Sequence, residues 1–213
     1  MRGRSIDSQR DGTSPAPGRG AVRARLAQRG VTLIESMMVI GIAAVLLAFA
    51  VPGFREFVVR SRLDSAAQEL LTALQFARSE AARRGAQVTL RLSGADGSKD
   101  WGSGWTMFID ADRDGTLDVG EEVVRQGMAL NPPLTLYGSG NFDTVIAFTR
   151  EGRLTSAGGG VLVLCQGAEL TEGGRSRSRA VLVNGAGRVR MAARNSSNVP
   201  LSDTGTVAGC TNP

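Results

Sequence analysis

Residues 29–52, RGVTLIESMMVIGIAAVLLAFAVP, form a long apolar stretch near the start of the chain. From Val31 to Val51, only three polar residues interrupt it: Thr32, Glu35 and Ser36. At a rise of about 1.5 Å per residue, a helix of this length spans roughly 31 Å, which is enough to cross the hydrocarbon core of a membrane. The stretch therefore predicts a transmembrane helix over residues 31–52.

Basic residues are concentrated on the N-terminal side of this helix. The 213 residues include 25 Lys and Arg against 20 Asp and Glu, a formal charge of +5. Seven arginines and two aspartates lie within residues 1–30, so the remaining chain has no net charge. By the positive-inside rule, residues 1–30 are predicted to be cytoplasmic and the C-terminal bulk to be exported. The overall charge is therefore a topology signal and does not by itself indicate nucleic-acid binding.

The composition also excludes several classes of enzyme. The chain has no His and only two Cys. A Ser-His-Asp triad, a Cys-His pair, a His-ligated zinc site and a four-Cys zinc site therefore cannot be built. We predict that the protein is not an enzyme.

The carboxylate of Glu35 argues against a simple signal peptide or membrane anchor. The small residues around Ala48 and Ala50 make only a weak signal-peptidase site. A plain anchor does not explain Glu35, because an ionisable group in an apolar span costs about 2.5–3.5 kcal/mol at mid-bilayer, and less near the end of the span. Such residues usually have a function.

The run Arg29-Gly30-Val31-Thr32-Leu33-Ile34-Glu35, with Pro52 at the end of the apolar stretch, resembles the processing site of type IV pilins and type II secretion pseudopilins. The resemblance implies that a prepilin peptidase cuts between Gly30 and Val31 at the cytoplasmic face of the inner membrane. The leader 1–30 is removed, the new terminus is N-methylated and the helix is retained. The family usually has Phe where this chain has Val31, and its leaders are often shorter.

Two residues of this motif have expected roles in assembly. Glu35 becomes the fifth residue of the mature chain, where it can neutralise the amino terminus of a neighbouring subunit in a packed filament. Pro52 lacks the N–H needed for an internal helical hydrogen bond, so it is expected to bend or locally melt the helix.

An amphipathic helix is predicted to follow over residues 53–85. Its apolar positions recur at steps of three and four residues: Leu63, Ala67, Leu70, Leu74, Ala77 and Ala81. Gly85 is a plausible C-terminal stop, and Arg83 and Arg84 suit the negative end of the helix dipole.

Residues 86–213 are predicted to form an exported β-rich domain. Short apolar or β-branched runs alternate with Gly-rich and Asx-rich turns, a pattern that favours an antiparallel sheet of seven or eight strands. The runs are Gln87–Leu92, Trp105–Ile109, Glu122–Arg125, Leu134–Tyr137, Thr144–Thr149, Val161–Leu164, Ala180–Val183 and Arg188–Met191. Gly158–Gly160 and Gly173–Gly174 are predicted to be loops. The fold class is α+β, a long N-terminal helix packed on an antiparallel sheet.

This order of elements resembles the branch of pilin-like proteins that contains H-type pseudopilins and FimT/FimU-type minor pilins. The stretch Gly104-Trp105-Thr106-Met107-Phe108-Ile109-Asp110 is also similar to that branch. The resemblance implies a single-pass inner-membrane protein with a periplasmic domain that later joins a pilus or pseudopilus. The protein would be a minor type IV pilin or, alternatively, a minor pseudopilin of type II secretion. Its partners would be other pilin or pseudopilin subunits. An uncleaved anchor that carries a calcium-binding domain is a further alternative.

One segment of the exported domain has the spacing of a calcium-binding loop. The pattern D-x-D-x-D-G, with acids at the ninth and twelfth places, includes five candidate ligands: Asp110, Asp112, Asp114, Asp118 and Glu121. Calcium is the only candidate cofactor. Strand-like residues flank the segment on both sides, so a hairpin loop built on Asx turns is the alternative.

Arginines are frequent in the C-terminal third. Between Arg175 and Arg194 there are six Arg and no acid. Arg175, Arg177 and Arg179 alternate with Ser, and Arg188 and Arg190 follow on a predicted strand. These residues could form a solvated face or ion pairs. In the FimT-type branch, however, a Gly-Arg-x-Arg element such as Gly187-Arg188-Val189-Arg190 is associated with DNA capture during transformation, so the resemblance implies that these five arginines bind double-stranded DNA.

Both cysteines lie beyond the predicted membrane span. Because the exported compartment is oxidising, we predict a disulfide between Cys165 and Cys210 that connects the C-terminal tail to a core strand.

Overall fold

A computed structural model describes residues 30–94, 98–156, 158–203 and 205–211, without the side chains of residues 52 and 55. The chain divides into two units, residues 1–46 and residues 47–213. Most of the predicted leader 1–30 lies outside the described residues. Within the first unit, the described residues form the beginning of one long helix, α1, which extends from Leu33 to Arg84.

The start of α1 has a side-chain cap. The Thr32 hydroxyl oxygen accepts a hydrogen bond from the Glu35 backbone N–H at 3.3 Å, and the Thr32 carbonyl accepts one from the Ser36 N–H at 3.1 Å. Threonine before the helix and glutamate at its third position form the capping-box sequence pattern. Glu35 also places a negative charge at the positive end of the helix dipole.

The N-terminal part of α1 is long and apolar enough to cross a membrane. Its large apolar side chains are exposed from Leu33 to Val51. The helix is continuous through position 52, so of the two effects expected of Pro52, a bend or local melting, the melting does not occur. A proline removes one main-chain hydrogen bond, and the helix keeps the hydrogen bonds of the turns on either side.

Within the second unit, one face of α1 is buried. All six residues of the predicted apolar stripe are buried, and Ala73 joins them. Two arginines occupy the last turn of the helix, and Gly85 follows with φ +64°. This left-handed conformation is the usual way for a glycine to end a helix.

The remainder of the second unit forms two four-stranded antiparallel sheets. The strands of the first sheet are β1 (Val88–Leu92), β2 (Trp105–Ile109), β3 (Val123–Gly127) and β5 (Val145–Phe148). The strands of the second are β4 (Leu134–Gly138), β6 (Gly160–Gln166), β9 (Ser178–Val183) and β10 (Val189–Met191). The first sheet has the order β3-β2-β1-β5 and the second the order β10-β9-β6-β4.

All eight predicted strands are present, but they are divided between two sheets. The predicted loop Gly173–Gly174 is the turn of a two-stranded hairpin, β7 (Thr171–Glu172) and β8 (Arg175–Ser176). Strands of two residues are too short to show an apolar alternation, so the sequence pattern did not reveal them.

The core lies between α1 and the two sheets. The buried stripe of α1 belongs to one apolar cluster with Trp105 and Phe148 of the first sheet and Leu162 and Val181 of the second. Trp105 lies opposite Gly127 across β2 and β3. A Cβ atom at Gly127 would lie 2.2 Å from the indole, so only glycine leaves room for the ring there.

A second, smaller core contains the disulfide between Cys165 and Cys210. The two Cα atoms are 5.9 Å apart, and both cysteines are buried with Val163, Leu182 and Val207. The predicted disulfide is therefore present, and it attaches the C-terminal tail to β6.

Reduction of this disulfide is expected to lower the free energy of unfolding by about 4 kcal/mol, because it closes a loop of 45 residues. Denaturation of the full chain in detergent micelles, with and without reductant, measures the change. The double variant Cys165→Ala/Cys210→Ala is the control, since it should be destabilised without reductant and should not respond to it. Equal stability of the oxidised and reduced wild-type protein would contradict the prediction.

Candidate functional site

The predicted processing segment lies immediately before α1. Gly30, Val31 and Thr32 are exposed and non-helical, and the helix begins two residues after the peptide bond between Gly30 and Val31. Glu35 is exposed in the first helical turn. The candidate scissile bond is therefore in irregular backbone, and the candidate assembly carboxylate is on the helix next to it.

The predicted calcium loop connects β2 to β3. Of the five predicted ligands, the structure brings Asp110, Asp112 and Asp114 together, with one carboxylate oxygen of each within 4.8 Å of the others. Asp118 and Glu121 do not belong to this cluster. The flanking elements are strands, as expected, and the loop is not part of a helix-loop-helix unit.

Asp110 is buried, with 1% of its surface exposed. Its Oδ2 atom accepts hydrogen bonds from Thr89 Oγ1 at 2.6 Å, Gln87 Nε2 at 2.9 Å and the Gly115 N–H at 3.1 Å. Its Oδ1 atom is buried and has no hydrogen-bond partner among the residues that the structure describes. The carboxylate is thus held firmly through one oxygen only.

Glu121 has a structural role in the same loop. Its Oε1 accepts the Ala111 N–H at 2.8 Å, and its Oε2 accepts the Asp118 N–H at 3.1 Å. It thereby connects the two ends of the loop. Desolvation, together with the charges of Asp114 and Asp112, raises the pKa of Asp118.

An ion-pair network attaches this hairpin to the end of α1. Glu80 is buried and accepts hydrogen bonds from Arg83 at 2.6 Å and from Arg84 at 2.5 Å. Arg84 also donates to Glu122 at 2.6 Å. The guanidinium groups of Arg83 and Arg84 lower the pKa of Glu80 from 4.5 to about 2. Glu80 therefore remains charged at neutral pH and holds both arginines in place.

Three of the five predicted DNA-binding arginines form ion pairs with acidic side chains. Arg179 pairs with Asp64 of α1, and Arg177 pairs with Glu172. Arg175 Nη1 lies 3.6 Å from a carboxylate oxygen of Glu56, also on α1. These arginines hold the second sheet and the β7–β8 hairpin to the helix.

Arg188 and Arg190 lie elsewhere, at the turn before β10 and on β10. Both are exposed, whereas Val189 between them is buried. Arg190 pairs with Asp203. Arg188 forms no ion pair with any residue that the structure describes. The five arginines therefore do not form one cluster.

Backbone contacts fix the position of Arg188. Asn184 Oδ1 accepts the Arg188 N–H at 2.9 Å, and the Leu154 N–H donates to the Gly185 carbonyl at 3.2 Å. Gly187 has φ +76°, and a Cβ atom there would lie 2.0 Å from the Gly152 carbonyl oxygen. The glycine of the Gly-Arg-x-Arg element is therefore needed for the close approach of two turns.

This approach creates a surface groove of about 420 Å³ between α1 and the two turns. Arg188 and Val189 line it together with Arg78, Glu151 and Gly152. We call this surface the arginine groove.

Two further arginines belong to the same turn as Gly152. Arg150 and Arg153 are exposed, and Arg150 pairs with Glu151 at 2.7 Å. Sequence reasoning did not single out Arg78, Arg150 or Arg153. They are far apart in the chain, and no local pattern relates them to Arg188.

The fold defines a pilin-like protein, in which one long helix has an exposed apolar N-terminal part and a C-terminal part packed on antiparallel sheets. Comparison with known families supports this class. Residues 66–187 match the family model of the type II transport protein GspH, and residues 25–51 match that of the prokaryotic N-terminal methylation motif. The first match covers more than half of the chain, so the protein belongs to the GspH family.

Individual relatives agree with this assignment. The pilin-like protein PilA1 of Thermus thermophilus is 37% identical over 97 residues, which are 46% of this chain and 58% of PilA1. A fimbrial protein of Pseudomonas aeruginosa is 28% identical over 103 residues, which are 44% of this chain and 66% of that protein. The matched segments span less than two thirds of either relative.

A solved structure confirms the fold. The type IV minor pilin FimU of Pseudomonas aeruginosa, in space group P21, superposes with a TM-score of 0.54 at 24% identity, covering 72% of this chain and 98% of FimU. Pilins and pseudopilins are structural subunits that assemble with other pilin subunits. The apolar helix and the methylation motif fit a membrane-anchored pilin that later enters the filament.

The substitution Glu80→Gln is expected to destabilise the domain at pH 7. Because the pKa of Glu80 falls from 4.5 in its usual state to about 2 in the folded protein, its charge stabilises the fold above about pH 4.5. This contribution disappears as the pH falls towards 2, so the stability difference between wild type and variant should shrink over that interval. Denaturation of the full chain in detergent micelles, monitored by tryptophan fluorescence, measures this difference in the free energy of unfolding.

The matched control is Glu69→Gln on the same helix, because Glu69 is exposed and lies 3.9 Å from Arg125. Its effect should be small at every pH. A stability difference for Glu80→Gln that stays constant from pH 7 to pH 2 would contradict the assigned role.

Proposed function

We propose that this protein is a minor type IV pilin, cleaved after Gly30 by a prepilin peptidase and anchored in the inner membrane by residues 31–51 until it enters the pilus. Its N-terminus faces the cytoplasm and its β-rich domain faces the periplasm. The observation that carries this proposal is the start of α1, where an exposed non-helical Gly30–Val31 bond directly precedes a capped helix with Glu35 in its first turn.

The arrangement suits the assembly step. Cleavage would leave a mature terminus of only two residues before the helix, so the new amino group would remain close to the first helical turn. The Glu35 carboxylate of one subunit can then neutralise the amino group of another. In the apolar environment of packed helices, this pairing is screened less than a surface ion pair.

We further propose that the exported domain binds double-stranded DNA, as a pilin active in transformation would. Arg188 supports this role, because it is exposed, has no ion-pair partner among the described residues and lies in the arginine groove with Arg78. Guanidinium groups bind phosphate through paired hydrogen bonds. Arg175, Arg177 and Arg179 are less suited, because acids of the same chain already engage them.

A minor pseudopilin of type II secretion is the second candidate function. The match to the type II transport protein GspH favours it. In that role the processing and assembly steps would be the same, and the arginine groove would contact a protein subunit in place of DNA. A transformation assay of a strain that lacks the gene separates the two roles, since only the pilin role requires loss of DNA uptake.

Co-expression with a prepilin peptidase is expected to remove residues 1–30, so that the mature chain begins VTLIE and has a methylated amino group. The variant Gly30→Val should remain uncleaved, because a bulky side chain then precedes the scissile bond. Gly41→Val, which places the same change inside the apolar helix, is the matched control and should be processed. Intact mass spectrometry measures each product, and a wild-type chain that still begins at Met1 would refute the cleavage.

The variant Arg188→Ala/Arg190→Ala is expected to weaken binding of duplex DNA by at least tenfold. The slope of log affinity against log salt should become shallower by about 0.9, because Arg188 neutralises one phosphate whereas Arg190 is already paired with Asp203. Fluorescence anisotropy of the full chain in detergent micelles over a range of salt concentrations measures both quantities. The control Arg62→Ala/Arg175→Ala removes the same charge from exposed positions outside the groove. Unchanged affinity and slope in Arg188→Ala/Arg190→Ala would contradict the assignment.

A further inference from the structure

The loop between β2 and β3 has the dimensions of a site for a single cation. One carboxylate oxygen each from Asp110, Asp112 and Asp114 lies within 4.8 Å of the others. Calcium binds oxygen at about 2.3–2.6 Å, so two oxygens on one ion are at most about 5 Å apart. The three carboxylates are therefore close enough to share one ion.

The buried oxygen of Asp110 is an independent indication of a ligand. Oδ2 accepts three hydrogen bonds, whereas Oδ1 is buried and receives none from the described residues. A buried carboxylate oxygen that has lost its water and gained no partner is energetically unfavourable. A cation bound between Asp110 and the two exposed aspartates would supply the missing interaction.

The nearby arginines Arg91 and Arg113 do not supply the missing interaction of the Asp110 carboxylate. Arg91 donates through Nη1 to the Gly115 carbonyl at 2.9 Å, so it binds the backbone of the loop. Arg113 lies in the loop, is exposed and forms no ion pair with the described residues. The negative charge of the three aspartates is therefore not neutralised by an ion pair from any residue in the described part of the chain.

The backbone of the loop holds the aspartates in a curve. Asp112 Oδ1 accepts the Asp114 N–H at 3.3 Å, and Asp114 Oδ1 accepts the Thr116 N–H at 2.6 Å. The Gly115 N–H donates to Asp110 Oδ2, and Gly115 adopts a φ of +78°. These bonds fold the loop back on its own first residue, so alternate side chains converge.

We propose that this loop binds Ca²⁺, with Asp110, Asp112 and Asp114 as its side-chain ligands. Carboxylate oxygens at alternating positions of a glycine-containing loop suit a hard cation with six to eight oxygen ligands, and water completes the set. The site has three side-chain ligands where the sequence predicted five, because Glu121 accepts backbone N–H groups and Asp118 lies outside the cluster. Calcium binding goes beyond the proposed roles in assembly and DNA contact and does not depend on them.

Calorimetric titration of the chelator-treated full chain with CaCl₂ in detergent micelles tests the proposal. We expect one ion per chain, with a dissociation constant below about 1 mM, in the range of extracellular calcium modules or tighter. The thermal midpoint should rise with calcium concentration. No heat of binding and no shift of the midpoint up to 10 mM calcium would overturn the proposal, and so would MgCl₂ binding as tightly as CaCl₂.

The variant Asp112→Asn/Asp114→Asn locates the ion. Both residues are exposed, and asparagine keeps the oxygen that accepts each Asx-turn hydrogen bond, so the loop should fold while two ligand charges are lost. We expect the dissociation constant to rise at least tenfold. The control Glu151→Gln/Glu169→Gln removes two exposed carboxylates outside the loop and should bind calcium as the wild type does. Equal affinity in Asp112→Asn/Asp114→Asn and wild type would place the ion elsewhere and overturn the proposal.

Discussion

The face of α1 between Leu63 and Ala81 is buried against both sheets, and the exported domain is arranged around this contact. Four of its seven residues are alanines, so the strands can approach the helix closely, while the leucines supply most of the apolar area. Each fully buried leucine stabilises the fold by about 1.5–3 kcal/mol. Because α1 continues without a break from Leu33, one helix both carries the apolar N-terminal segment and organises the domain.

The polar residues of α1 beside the buried face determine which arginines of the domain are paired with an acid and which can bind a ligand. Successive residues of a helix are about 100° apart, so the buried face has two flanks. On one flank, Glu69 lies near Arg125 of β3, and Arg84 pairs with Glu122 immediately before that strand. On the other flank, Asp64 pairs with Arg179 of β9, and Arg78 lines the groove with Arg188. A carboxylate of the helix therefore pairs with Arg179, whereas no acid of the helix lines the groove beside Arg188.

The sequence patterns predicted those structural features that depend on residues close together in the chain. The apolar periodicity identified the buried stripe of α1, and the alternation of apolar and turn residues identified the eight longer strands. The division into two sheets depends on which strands pair across long stretches of chain, for example β1 with β5, and no local signal specifies it. The same limit applies to the arginines, because only the fold shows that Asp64 pairs with Arg179 while Arg188 and Arg78 line one groove. Likewise, the spacing of the acidic loop predicted five ligands, but packing buried Asp110 and assigned Glu121 to the backbone.

The two flanks also separate the opposite charges of the domain. Residues 31–213 carry equal numbers of basic and acidic side chains, so no net field attracts a phosphate backbone. The acidic loop is attached to the Glu80–Arg84 flank and the arginine groove lies on the Arg78 flank, roughly 150° around the helix axis. The carboxylates of the loop do not line the groove, where the described acid is Glu151, which pairs with Arg150. A chain that is neutral overall can therefore present arginines on one side.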